Sequence, residues 1–122
     1  MSIASTSEIR EFGKMSQAQL DSLAFGVIQV DDQGIVKSYN KYESELGNTP
    51  IPEAIGKNFF TQVAPCTNNR LIYGRFKEGV AANQLEFEVN YVFTYKIKPV
   101  NVTIQVYRDN LANTNWMLVK RR

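Results

Sequence analysis

The sequence predicts an α+β domain on a five-stranded antiparallel sheet, and three observations lead there. Phe87, Val89, Tyr91, Phe93, Tyr95 and Ile97 alternate with Glu86, Glu88, Asn90, Val92, Thr94, Lys96 and Lys98, a period of two broken only at Val92, so one face of this segment is buried and aromatic. Phe25-Gly26-Val27-Ile28-Gln29-Val30 and Ile35-Val36-Lys37-Ser38-Tyr39 are β-rich runs around the turn residues Asp31-Asp32-Gln33-Gly34, the signature of a hairpin. A chain of 122 residues, 43% of them hydrophobic, suffices for one core and leaves no room for a second domain.

Taken in order, Ser5-Thr6-Ser7-Glu8 precedes Ile9 and Phe12, and Ser16-Gln17-Ala18-Gln19-Leu20 precedes Leu23, two short helices opened by hydroxyl caps. Too short to hold alone, they depend on docking. They make residues 1–25 an N-terminal helical cap, the part most easily detached, on a core of residues 26–122. After the hairpin, Gly47, Pro50, Pro52 and Gly56 permit only short helical pieces, because proline ends helices and extends the residue before it. Tyr73 to Ala82 predicts a helix with Phe76, Val80 and Tyr73 inward and Lys77 and Glu78 outward. Val102, Ile104 and Val106 alternate again after Pro99, and Trp116-Met117-Leu118-Val119 forms a last strand after the turn-rich stretch from Asp109 to Asn115.

Composition narrows the chemistry. Net charge is +2, with 14 basic residues spread among 12 acidic ones, and the single cluster Lys120-Arg121-Arg122 reads as a solvated tail, so nucleic acid is not an expected partner. Histidine is absent, removing the usual general base and the commonest metal ligand. One cysteine makes neither an internal disulfide nor a thiolate metal cluster, and no metal is expected. Residues 1–25 carry neither a signal-peptide core nor a membrane-spanning run, so a cytoplasmic chain with a reduced thiol is expected.

Three side chains stand out. Tyr39 and Glu43 are four residues apart, a spacing that puts two side chains on one helical face; they also read as a strand-end aromatic and a solvated helix residue. Cys66, in Ala64-Pro65-Cys66-Thr67, reads by itself as a small buried hydrophobe.

Gly56-Lys57-Asn58-Phe59-Phe60, Val63-Ala64-Pro65-Cys66-Thr67, Tyr73-Gly74-Arg75-Phe76-Lys77-Glu78-Gly79-Val80 and the closing Val119-Lys120-Arg121 resemble the photoactive yellow protein family, and the similarity runs from about Leu20 to the C-terminus. The resemblance implies a PAS-like five-stranded antiparallel sheet with helices on both sides and an N-terminal helical cap. It also implies para-coumaric acid (4-hydroxycinnamic acid) bound as a thioester on Cys66, and blue-light reception in a bacterial cell. By the same resemblance Tyr39 and Glu43 hydrogen-bond the phenolate oxygen and the backbone N–H of Cys66 meets the thioester carbonyl. The walls are Ile28, Phe59, Val63, Ala64, Pro65, Thr67, Tyr91, Phe93, Tyr95 and Ile97. The chemistry is coherent: an isolated phenolate in an apolar interior is strongly disfavoured, so donors must surround it, and a carboxyl there is expected to stay protonated.

Three positions depart from the family. Gly47 stands where a threonine hydroxyl supports the tyrosine, and Thr49 where an arginine covers the ring, so part of the phenolate's support is missing and some protonated pigment is expected near neutral pH. Ile97 stands where the family often has a methionine that assists thermal return, which predicts slow dark recovery.

The mechanism that follows is trans-to-cis isomerisation, proton transfer from Glu43, and release of the N-terminal cap toward a downstream signalling protein, in a monomer or weak dimer. The alternative is a PAS-type ligand-binding or protein-interaction module without a covalent chromophore. A cysteine enzyme is disfavoured, since no histidine exists to activate the thiol.

Overall fold

The structure, a computed structural model, describes residues 3–94 and 98–122. Five strands form one antiparallel sheet: β1 (Gly26–Val30), β2 (Val36–Tyr39), β3 (Glu86–Thr94), β4 (Pro99–Asp109) and β5 (Thr114–Arg121), in the spatial order β2-β1-β5-β4-β3. The N-terminal helices α1 (Thr6–Phe12) and α2 (Gln17–Asp21) precede the sheet, and α3 (Lys41–Leu46), α4 (Ile51–Ala54) and α5 (Arg75–Ala82) lie between β2 and β3. This is the antiparallel sheet with helices on both sides that the strand pattern and the resemblance imply.

The strand period of two sorts side chains between two cores. Ile28, Val30, Phe93, Val102, Ile104, Val106, Met117 and Val119 pack with Phe59, Phe60, Ile72 and Phe76 on the face covered by the 41–82 segment. Val27, Tyr107, Trp116 and Leu118 pack with Ile9, Phe12 and Leu20 on the other. Both N-terminal helices open with a capping box, Ser5 with Glu8 and Ser16 with Gln19, so the hydroxyl signals in the sequence correspond to reciprocal side-chain and backbone bonds. Phe12 meets Trp116 edge-on at 5.8 Å, and Gln105 fixes the chain start by accepting from the Ala4 N–H at 3.1 Å and donating to its carbonyl at 2.8 Å.

The hairpin turn is held by Asp31, whose carboxylate accepts from the Gln33 and Ile35 N–H groups, both at 2.9 Å. Gly34 has φ +91°, and a Cβ there would lie 3.0 Å from the Phe60 ring, so this position needs glycine for both conformation and space. Residues 56–59 run beside β2 through the Gly56 and Val36 amides, each at 2.9 Å, and so cover one sheet edge.

One expectation needs correction. The predicted helix from Tyr73 begins at Arg75, because the preceding turn, Arg70–Gly74, is a π-turn capped by Asn69. The fourth strand runs past Val106 to Asp109, and Arg108 near its end is buried. Its guanidinium donates to Asp32 (2.7 Å), Asn115 (2.8 Å) and Asn83 (2.8 Å), a charge-assisted knot tying the β1–β2 turn, the α5–β3 turn and the start of β5. Within that knot the Asn115 amide, followed by Arg108, holds the Asp32 carboxyl below its ordinary value.

Phe12→Ala tests how the helical pair is attached. Removing a buried phenyl group costs about 3 kcal/mol. Exchange of the Ile9 and Leu20 amides should then accelerate about a hundredfold, with the Ile104 and Val119 amides little changed.

Candidate functional site

The polypeptide between β2 and α5 carries the side chains singled out in the sequence. Tyr39 is the last residue of β2 and Glu43 lies in the first turn of α3, so they do not share a helical face as the spacing suggested. Asn40 stands between them as the N-cap, and the strand-to-helix corner, rather than a continuous helix, brings the phenol and the carboxyl together. Both are fully buried, at 0% exposure.

Tyr39 belongs to the apolar cluster that contains Ile28, Phe59, Val63, Ala64 and Phe93, with Leu46, Ile51, Cys66 and Tyr91 packed against it. Its hydroxyl has no hydrogen-bond partner among the described residues. Burial, and after it the Glu43 carboxyl, pushes the Tyr39 phenol well above its ordinary range, so at neutral pH it is a proton donor. Leaving such a hydroxyl unsatisfied costs about 1–3 kcal/mol, so the arrangement calls for an acceptor.

Glu43 packs over β1 where Gly26 leaves room. A Cβ on Gly26 would lie 2.6 Å from Glu43 Oε1 and 3.1 Å from its Cβ, so any side chain at 26 would displace the carboxyl. The one signal of this role among the residues is a glycine inside a strand.

Asn40, also missed in the sequence, is the junction of the region and is fully buried. Its Oδ1 accepts from the Val27 N–H at 3.0 Å and the Glu43 N–H at 3.2 Å, and its Nδ2 donates to the Leu20 carbonyl at 2.9 Å and the Phe25 carbonyl at 3.0 Å. On either side of it, Gln17 donates to the Tyr39 carbonyl at 3.0 Å and Asp21 accepts from the Lys41 N–H at 2.7 Å. Three consecutive residues at the phenol–carboxyl corner are thereby bonded to the α2 region. The signal available was a cap-forming residue directly between a strand run and a helix run.

Cys66 sits on a short 3₁₀ turn, Pro65–Thr67, that follows the π-turn Phe59–Val63. Asn58 caps the π-turn, its Oδ1 accepting from the Phe60 and Thr61 N–H groups at 2.9 and 3.1 Å. Pro65 extends Ala64, and buried Thr67 closes the turn by donating its hydroxyl to the Ala64 carbonyl at 2.7 Å. Cys66 is half-buried, its thiol is free, and it packs against the apolar cluster that holds Tyr39.

The remaining predicted residues divide. Phe59, Val63, Ala64, Ile28, Phe93 and Thr67 are buried, Tyr91 is half-buried and Pro65 exposed. Gly47 ends α3 with its N–H on the Glu43 carbonyl at 2.9 Å, and the Thr49 hydroxyl is engaged by the Gly47 carbonyl at 3.1 Å. Neither brings a hydroxyl to Tyr39. Tyr42 accepts from the Arg121 N–H at 3.0 Å and Lys41 is exposed, so these neighbours face elsewhere. Tyr95 and Ile97 lie outside the described residues. Among the described residues no group of histidine, cysteine and acidic side chains could hold a metal, and no helix is long and apolar enough to cross a membrane.

Tyr39→Phe follows from this geometry. In the unliganded chain it removes an unsatisfied hydroxyl and should raise stability by about 1 kcal/mol in urea titrations. Above pH about 10 the unfolded chain loses a proton that buried Tyr39 keeps, so stability falls with rising pH by up to about 1.4 kcal/mol per unit; Tyr39→Phe should lack that contribution.

Comparison with known proteins identifies the family. The PAS fold profile matches residues 14–120. The photoactive yellow protein of Rhodothalassium salexigens is 43% identical over 107 residues, covering 88% of this chain and 86% of that protein, and the photoactive yellow protein of Halochromatium salexigens matches at the same identity and coverage. Among solved structures, the photoactive yellow protein domain of the sensor histidine kinase Ppr from Rhodospirillum centenum superposes with a TM-score of 0.86 at 37% identity, covering 91% of this chain and 97% of that domain. On fold, sequence and extent of coverage together, the chain belongs to the PAS fold family and, within it, to the photoactive yellow proteins.

Proposed function

We propose that this chain is a blue-light photoreceptor that carries para-coumaric acid as a thioester on Cys66, with Tyr39 and Glu43 as hydrogen-bond donors to the phenolate oxygen. The observation that carries this reading is the buried Tyr39 hydroxyl, held protonated and without an acceptor among the described residues, inside the apolar cluster against which Cys66 packs. A phenolate is the acceptor that such a donor lacks, and the aromatic and aliphatic side chains around it suit a flat conjugated ring. When bound, the group supplies visible absorption as its phenolate and a double bond that isomerises from trans to cis.

The chain's own residues convert that event into a structural one. Glu43 would hold its carboxyl proton against the phenolate oxygen in the dark and would release it to that oxygen in the lit state, leaving a carboxylate in a seat of zero exposure. A charge buried in such surroundings costs several kcal/mol, comparable with the whole stability of a small domain, about 5–15 kcal/mol. The first turn of α3 then shifts, and Asn40 passes the strain to Leu20 and Phe25, which it holds by their carbonyls. Release of the α1–α2 segment uncovers Tyr107, Trp116 and Leu118, an apolar sheet face for a downstream signalling protein to read.

Mass measurement after incubation with activated para-coumaric acid tests the reading. One adduct on Cys66, absent in Cys66→Ala, is expected; a chain that keeps its unmodified mass would instead be a noncovalent PAS module. Glu43→Gln should keep the pigment while abolishing most of the light-induced exchange in residues 6–21, and equal exchange in both chains would contradict the trigger.

Gly47 and Thr49 leave the phenolate with fewer donors. The dark spectrum should therefore contain a shorter-wavelength band near neutral pH that grows on acidification. A single visible band unchanged from weakly acidic to alkaline pH would refute this.

A further inference from the structure

The carbonyl of Cys66 is held from two sides by residues outside its own turn. The Tyr91 hydroxyl, reaching over from β3, donates to it, and Asn69 Nδ2 donates to it at 3.2 Å. Asn69 Nδ2 also donates to the Tyr91 oxygen at 2.7 Å, so the three groups close on one another, and a hydroxyl that accepts one bond donates the next more strongly. The orientation of the Asn69 amide is set independently, because its Oδ1 caps the Arg70–Gly74 turn by accepting from the Ile72 N–H at 3.0 Å. Tyr91 is fixed in turn by its ring, which meets the fully buried Phe93 edge-on at 6.0 Å. A half-buried turn whose carbonyl would otherwise face water is thus fastened to the sheet and to the next turn.

We propose that Asn69 and Tyr91 are positioning residues for the sulfur anchor: they clamp the Cys66 backbone so that a light-driven displacement is borne by the buried Tyr39–Glu43 end and not dissipated by movement of the surface turn. This rests on the proposed thioester at Cys66. An anchor that cannot yield keeps the lit state strained, and strain in the lit state speeds thermal return. Loosening the clamp therefore slows dark recovery and weakens the signal reaching the N-terminal helices.

Two variants separate this from general stability. Tyr91→Phe keeps the ring packing and removes the hydroxyl, and Asn69→Ser keeps a cap-forming side chain while removing the Nδ2 donors. In the chain without pigment, with the Cys66 carbonyl labelled by ¹³C, both variants should move that resonance upfield with little change in urea midpoint. In the pigmented chain both should slow dark recovery about fivefold, the effect of one net hydrogen bond. The double variant should be slower than either single variant, since in Tyr91→Phe the Asn69 amide still donates directly to the Cys66 carbonyl. Recovery unchanged or faster in both single variants, or a carbonyl resonance that stays in place, overturns the clamp. Failure of the unsubstituted chain to take up the pigment overturns both the thioester and the clamp, whereas uptake with unaltered recovery overturns the clamp alone.

Discussion

A phenol and a carboxyl sealed into an apolar layer set the terms for everything around them. Polar groups are rarely buried without partners, because the desolvation they suffer is returned only by hydrogen bonds. Here the strand β2 delivers Tyr39, helix α3 delivers Glu43, and Gly26 is bare so that the carboxyl fits. The surrounding fold is strong enough to bury the Tyr39 hydroxyl without an acceptor among the described residues: two cores on opposite sheet faces and an antiparallel ladder of five strands whose register shifts at Gln29–Val30.

The same corner links the site to the N-terminal helices. Gln17, Leu20 and Asp21 bond to Tyr39, Asn40 and Lys41, so the α2 region and the phenol–carboxyl pair cannot move independently. Polar links of this kind transmit displacement where apolar packing would slide, and each is individually modest, so the docked arrangement can be given up. The N-terminal helices are thus held by contacts that are definite but individually modest.

Much of this was legible in the residues. Alternation in Phe87 to Phe93 described a strand with one buried face, the Asp31–Gly34 turn marked the hairpin, and Ser5 and Ser16 marked two helix starts, since period, turn chemistry and caps are local properties. What escaped depends on partners distant in sequence. The π-turns at Phe59–Val63 and Arg70–Gly74 have no propensity signature and rely on asparagine caps. Arg108 extends β4 because Asp32, Asn83 and Asn115 arrive from three other places. The spacing of Tyr39 and Glu43 suggested a shared helix because separation alone cannot register that Asn40 starts the helix one residue after the tyrosine.

The Arg108 knot bears on endurance. It fastens one end of the sheet by ionic and amide bonds from β4 to two turns and the start of β5, at a remove from the Asn40 corner, and none of its members takes part in the links to α2. A body so moored has a hinge side and a fixed side. These bonds fix the strand pairing at that end independently of the links to α2, so redocking of a displaced N-terminal segment calls for no search through alternative strand pairings.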